Sequence, residues 1–196
     1  MTERCEWVTD DQEYIDYHDK EWGRPLKDDL KLFELLCLEG QQAGLSWLTI
    51  LKKRENFRKA FDGFDPEKIA DYSADKIEEL LQDKGIIRNR LKINSVIKNA
   101  KAYLSVQERE GSFSSYIWQF VEGHPIINEW EEHEDVPSET EISREMSRQM
   151  KKDGFKFVGP TICYAYMQSA GLVNDHETGC SCYKEIKDII RKGGTR

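Results

Sequence analysis

Two cysteines and two histidines stand near opposite ends of the chain in a pattern that suits a metal. Cys5 and His18 lie near the N-terminus, and His176 and Cys180 form a His-x3-Cys pair near the C-terminus. Thiolate and imidazole together favour a borderline-soft ion such as Zn2+, and four protein ligands close the coordination sphere, which makes a site structural. Such a site would staple the termini together where ends otherwise fray. Cys182 competes for the last place, and the alternative is a set of buried or free thiols in a reducing compartment. Cys37 and Cys163 fall on apolar helix faces and read as core.

A second group centres on residues 38–47, Leu-Glu-Gly-Gln-Gln-Ala-Gly-Leu-Ser-Trp. Glu39 is its one carboxylate, Ala43 and Leu45 make an apolar tip around Gly44, and Trp47 adds an indole. Gly40 is expected as the left-handed cap that ends one helix, and Ser46 as the N-cap of the next. Trp7, Tyr14, Tyr17 and Trp22 crowd the first 25 residues, interleaved with His18 and Glu21. Brought against Glu39 and Trp47 by a zinc staple, they would line a pocket with stacking faces, a phenol and a carboxylate. That is the chemistry for holding a planar, nitrogen-rich, cationic ring. Taken singly, each aromatic also reads as ordinary core.

The third group is the turn after residue 82. Gly85 stands between Lys84 and Ile86, with Arg88, Arg90 and Lys92 opening the helix that follows. Backbone N–H groups at that helix start, with the positive end of the dipole, would grip one phosphate without reading a base. A plain helical hairpin is the structural alternative. The net charge of −8 argues against nucleic acid as a partner, but the charge is segregated. Residues 84–101 carry six basic side chains and no acidic one, whereas residues 129–145 carry eight acidic ones.

These groups must be positioned by helices, because the apolar residues recur at helical spacing almost throughout and hardly ever alternate. Asp28 or Asp29, Ser46, Asp65, Ser73, Ser112 or Ser114, and Thr140 read as N-caps. A long helix follows Ile87, the acidic segment around Trp130 and His133 is expected to be the least regular part, and a last strong helix starts at Gly159-Pro160. The class is all-α, in one domain over residues 1–196. No apolar run approaches a membrane span and the N-terminus has no signal-peptide character, so a soluble cytoplasmic protein is expected.

The same residues carry a family resemblance over nearly the whole chain. Cys5-Glu6-Trp7, Tyr17-His18-Asp19 with Glu21-Trp22-Gly23, the run from Glu39 to Trp47, Lys52-Lys53-Arg54-Glu55, Gly85-Ile86-Ile87-Arg88, Phe155-Lys156-Phe157-Val158-Gly159 and Gly171-Leu172-Val173-Asn174-Asp175-His176 appear in order. The chain resembles the 3-methyladenine DNA glycosylase I family, the constitutive alkylation-repair glycosylases of bacteria. The resemblance implies a helix-hairpin-helix fold with a helical core at about residues 25–165. It also implies a terminal lobe, 1–24 plus 166–196, held by one structural Zn2+ on Cys5, His18, His176 and Cys180. It places the base pocket on Glu39, Tyr17, Trp47 and Tyr14, with Trp7 and Trp22 as neighbours, and Glu39 as the catalytic group. Gly44 and Leu45 would enter the space left by an extruded nucleotide, and Gly85, Ile86 and Arg88 would hold phosphate. Lys92 joins them as a basic residue expected on the DNA face.

The implied activity is hydrolysis of the N-glycosidic bond of 3-methyladenine in alkylated double-stranded DNA, by a monomer with no obligate protein partner. Unlike many helix-hairpin-helix enzymes, the chain has no Asp assignable as a catalytic base after the hairpin, and no Lys that suggests lyase chemistry. The alternatives are a glycosylase for another lesion, a zinc-stapled DNA-binding module without catalysis, and an interaction protein working through the acidic segment.

Overall fold

Short polar side chains decide where most of the helices begin. Asp28, Ser46, Asp65, Ser73, Asn89, Ser112 and Thr140 each accept a hydrogen bond from a backbone N–H in the next turn. Each such bond satisfies a donor that the helix itself leaves unpaired. The computed structural model describes residues 4–195, among which there are ten α-helices. In chain order these are α1 (Gln12–Lys20), α2 (Asp29–Gln42), α3 (Trp47–Ala60), α4 (Pro66–Ala70) and α5 (Ala74–Gln82). They continue with α6 (Arg90–Glu110), α7 (Phe113–Trp118), α8 (Glu141–Lys152), α9 (Pro160–Ser169) and α10 (Ser181–Arg191).

Helix α2 is the axis of the molecule. Leu32, Phe33, Leu35, Leu36, Cys37 and Leu38 are all buried, and the face of Leu30, Lys31 and Glu34 in its first half reaches solvent. Helices α3, α6, α7 and α9 pack around it. The Phe33 ring lies 5.0 Å from Tyr103 of α6, and the Tyr166 hydroxyl of α9 donates to the Leu32 carbonyl at 3.1 Å. A separate small cluster of Cys5, Cys180, Cys182 and Ile186 packs against Trp7 and Trp22.

Three sequence expectations need correction. Helix α2 does not stop at Gly40 but runs to Gln42, with Ala43 as its C-cap. A Cβ on Gly40 would stand 3.2 Å from Phe157 Cβ, so the glycine makes room for a neighbour within the helix. The left-handed glycine is Gly44, at φ 78°. No helix is expected from sequence at 12–20 or 181–191; Asp11 caps α1 by accepting from Glu13 N, whereas α10 has no side-chain cap and is held by burial of Cys182, Tyr183 and Ile186. Nor is the fold purely helical, since β1 (Ile126–Ile127) pairs in parallel with β2 (Val173–Asn174).

Backbone-to-backbone packing fixes the N-terminal segment to the end of α9. Gly23 N donates to Gln168 O at 3.1 Å and Leu26 N to Ala170 O at 3.0 Å. Gly171, at φ 70°, lies in this crossing, and a Cβ on it would stand 2.3 Å from the Arg24 carbonyl carbon. Gly171→Ala is therefore expected to destabilise the fold by about 3 kcal/mol, from left-handed strain plus overpacking. Urea unfolding measures this, and a midpoint equal to the parent's would mean the crossing can open without cost. Among the described residues no helix is long and apolar enough to cross a membrane.

Candidate functional site

Helix α1 carries His18 inward beside Cys5, while the chain leaving β2 delivers His176, and Cys180 is the N-cap residue of α10. All four are buried, and their ligand atoms lie within 4.8 Å of one another. Cys5 Sγ is 3.4 Å from His176 Nδ1, and Cys180 Sγ is 3.5 Å from both His176 Nδ1 and His18 Nε2. Ordinary zinc–sulfur and zinc–nitrogen bonds at tetrahedral angles give sulfur–nitrogen edges of about 3.6 Å, so the donor set fits such an ion.

The other ring nitrogens have partners that orient each imidazole. His18 Nδ1 is 2.7 Å from Asp19 Oδ1, and Asp19 in turn accepts from the Arg4 guanidinium at 2.9 and 2.8 Å. His176 Nε2 is 3.1 Å from the Trp22 carbonyl oxygen. With these nitrogens as donors, His18 Nε2 and His176 Nδ1 are left to face the sulfurs, the usual pattern around a bound metal. Cys182 stands 4.0 Å from His18 Nδ1, beside the nitrogen that Asp19 occupies rather than the one facing Cys180.

A cavity of about 290 Å³ opens next to this cluster, between α1, the end of α2, the start of α3, and α9. Trp7, Tyr14, Tyr17, Trp22, Glu39 and Trp47 all line it, so the structure gathers the six pocket residues expected from sequence. The Trp7 ring lies 4.9 Å from Tyr14 and 5.1 Å from Trp22, and Tyr17 lies 5.5 Å from Trp47. Trp22 also sits edge-on to His176 at 4.6 Å, so the aromatic wall is continuous with the Cys/His cluster.

Glu39 is the polar group of this wall that burial perturbs most. Only 3% of it is exposed, and burial pushes its pKa up to about 8, with the Ser169 hydroxyl pulling the other way by donating to Oε1 at 2.8 Å. Trp47 Nε1 is a buried donor with no acceptor among the described residues, which leaves it available to a ligand.

Sequence reasoning missed the far wall. Gln42, His133, Val136, Ala165, Gln168 and Asp175 also line the cavity. Asp175 is buried and accepts from Asn128 Nδ2 at 2.6 Å, Trp130 Nε1 at 2.9 Å, the Tyr164 hydroxyl at 2.5 Å and Gln168 Nε2 at 2.9 Å. These bonds fold residues 128–136, read from sequence only as an acidic segment, over the pocket. No spacing rule reaches the 45 residues between Trp130 and Asp175.

The expected DNA-facing residues divide. Gly44 and Leu45 form a projecting tip, with nothing within 4 Å of a Cβ placed on Gly44 and Leu45 39% exposed. In the α5–α6 turn, Gly85 N donates to Asp83 Oδ1 at 2.7 Å, Ile86 is buried as the anchor, and Arg88 is exposed. Arg90 is already paired with Glu78, at 2.6 and 3.0 Å. Lys92 does not belong with them. It is only 7% exposed, and its Nζ donates to the carbonyl oxygens of Gln41 and Ala43 at 2.7 Å each. The first turn of α6 lies under the C-terminal end of α2, whose last carbonyls lack helical partners and attract a cation.

A helical scaffold thus holds an aromatic pocket with a buried carboxyl group, next to an exposed apolar tip and a basic helical turn. The chain belongs to the methyladenine glycosylase family, whose model matches residues 7–183. A DNA-3-methyladenine glycosylase of Haemophilus influenzae is 54% identical over 182 residues, covering 93% of this chain and 98% of that protein. DNA-3-methyladenine glycosylase 1 of Escherichia coli is 52% identical, covering 92% of this chain and 97% of that one. Among solved structures, a 3-methyladenine DNA glycosylase I superposes with a TM-score of 0.90 at 53% identity, covering 92% of this chain and 99% of its own. The Staphylococcus aureus enzyme, solved to explain 3-methyladenine recognition, gives 0.89 at 39% identity, covering 91% of this chain and 95% of its own.

Proposed function

We propose that this chain is a monofunctional DNA glycosylase that extrudes 3-methyladenine from alkylated double-stranded DNA and hydrolyses its N-glycosidic bond. The observation that carries this is the aromatic cavity with Glu39 buried in its wall, in a chain more than half identical to DNA-3-methyladenine glycosylases. Methylation at N3 makes the base cationic and a good leaving group, so the enzyme must mainly extrude and recognise it. Extrusion costs a few kcal/mol, least for a damaged base. Leu45 enters the gap, and the α5–α6 turn acts as a helix-hairpin-helix element that grips a phosphate near Arg88.

In the pocket, Trp47 stacks on the base, at about 1 to 3 kcal/mol, while Tyr14, Tyr17, Trp7 and Trp22 close the remaining faces. Glu39 loses its proton as the cation enters and accepts a hydrogen bond from the ring edge, so base binding releases a proton in the range below about 8. The ionised carboxylate also orients the water that attacks the sugar, and phosphates held by the turn stabilise the developing sugar cation. Among the described residues no lysine lines the cavity, which supports hydrolysis rather than imine formation.

Cys5, His18, His176 and Cys180 would hold one Zn2+, which supplies folding energy by joining the terminal lobe, 1–24 plus 166–196, to the helical core, about 25–165. The protein works in the cytoplasm as a monomer without an obligate partner. Chromatography with mass detection of bases released from methylated duplex DNA tests the function. 3-Methyladenine should appear well ahead of 7-methylguanine, and no released base from folded protein would favour a DNA-binding module instead. Arg88→Ala should weaken binding to any duplex and reduce the slope of log affinity against log salt by about 1. An unchanged slope would remove Arg88 from the DNA face.

A further inference from the structure

We infer that Lys92 is a positioning residue for nucleotide extrusion, fixing the loop that carries Gly44 and Leu45 to the first turn of α6. The inference rests on the glycosylase reading above and concerns the step before bond cleavage. Lys92 Nζ donates to the carbonyls of Gln41 and Ala43, and Gln41 Nε2 returns a bond to the Lys92 carbonyl at 3.1 Å. Three hydrogen bonds running both ways thus join the end of α2 to α6. Among the described residues Lys92 forms no ion pair, so this buried cation is held by carbonyl dipoles alone. The tip beyond is held only locally, by Leu45 N donating to Gln42 O at 2.6 Å and by the Ser46 cap of α3, while the Leu45 side chain is exposed and nothing lies within 4 Å of a Cβ placed on Gly44.

A second lysine braces the arrangement from the opposite side. Lys53 of α3 donates to the carbonyls of Lys84 and Gly85 in the α5–α6 turn, at 3.3 and 3.4 Å. The helix after the projecting tip therefore holds the phosphate-gripping turn, and the helix after that turn holds the tip. Pushing an apolar side chain into a base stack meets a resistance of a few kcal/mol, and an unbraced loop would yield to it. Lys92 transfers that load to α6 and the turn.

The test is Lys92→Met, alone and combined with Leu45→Ala. Single-turnover release of 3-methyladenine from duplex DNA reports the whole reaction. Fluorescence of a 2-aminopurine beside the lesion reports extrusion, and quenching of tryptophan by free 3-methyladenine reports the pocket. In the otherwise unaltered protein, Lys92→Met should lower duplex release and the 2-aminopurine signal about tenfold or more, because a small misplacement of the tip is amplified. Affinity for free 3-methyladenine should stay within about twofold. In the Leu45→Ala background the same change should cost less than about twofold, since it acts through that tip. An equal factor in both backgrounds, or a parallel loss of free-base affinity, would overturn the assignment. Lys92→Gln keeps an N–H donor group without the charge and is the second variant; if Lys92→Met fails to fold, the cycle of Lys92→Gln with Leu45→Ala decides the matter by the same two criteria. Absence of base release from the unaltered protein would overturn the glycosylase reading itself, whereas failure of the cycle alone would remove only the role of Lys92.

Discussion

Glu39→Gln should reduce release of 3-methyladenine from duplex DNA by about a hundredfold or more while making the ligand-free protein more stable at alkaline pH. The loss follows from removing the pocket carboxyl group that is left for a cationic base, since Asp175, which also lines the cavity, already accepts four hydrogen bonds; the contribution is of the size seen for single groups in active sites. The gain follows from linkage. Burial raises the Glu39 pKa from 4.5 to about 8, so in the folded chain the carboxyl group stays protonated where the unfolded chain would ionise it. Between those values the folded state binds the extra proton, and stability falls as pH rises. The whole gap corresponds to about 5 kcal/mol, present below 4.5 and lost once pH passes about 8. Glutamine keeps an acceptor for Ser169 and never ionises. Melting temperatures of parent and variant should therefore coincide near pH 4.5 and diverge towards pH 8.5, the variant higher. The parent's kcat/KM should climb with pH through an inflection near 8 and level off above it, with that inflection missing in the variant. Parallel melting curves across the pH range would mean that the carboxyl group is solvated, and equal losses in base release and DNA binding would remove it from the pocket.

Removing the Zn2+ proposed for the Cys/His cluster should have the other large effect. A chelator strong enough to compete with two thiolates and two imidazoles, or Cys180→Ser, is expected to lower the melting temperature by about 10 to 20 °C. The estimate takes on the order of 5 kcal/mol as the share of structural-zinc binding energy expressed in folding, at about 2 to 4 °C per kcal/mol for a chain of this size. The loss should be local before it is global. Trp7, Tyr14, Tyr17 and Trp22 sit on the segment that the cluster ties down, and Trp22 touches His176 directly. Free-base binding should therefore disappear at chelator levels that leave far-ultraviolet circular dichroism largely intact. Metal analysis should find one zinc per chain, and Cys182→Ser should retain it, since that thiol lies on the Asp19 side of His18. A metal-free protein whose melting is indifferent to the chelator would instead make the four residues a buried thiol–imidazole cluster.

Much of the molecule was legible in the residues alone because the relevant physics acts within one helical turn. A short polar side chain finds an unpaired N–H two or three residues on, and this located the starts of α2 to α5, α7 and α8 from Asp28, Ser46, Asp65, Ser73, Ser112 and Thr140. Ligand chemistry is also intrinsic to residue type, so the Cys/His set and the aromatic pocket were nameable before any fold was known. Glu39 stood out as the only carboxylate in its run.

What the residues alone did not decide was which polar groups remain free once the chain packs. Lys92 and Arg88 look alike in a basic run, yet one caps α2 in the interior and the other faces solvent, because α6 meets the end of α2 about 50 residues away. The 128–136 segment joins the pocket through Asp175 and through backbone bonds to Asn174 and Thr178, all more than 40 residues away, and Glu39 acquires its raised pKa only when the surrounding helices exclude water from it, against the opposing pull of the Ser169 hydroxyl. Sequence thus determined where most of the helices begin and the kinds of chemistry available to this protein, since caps and ligand types are local properties. The tertiary structure alone decided which charge is buried, paired or exposed, because desolvation and pairing are set by neighbours that no local pattern contains.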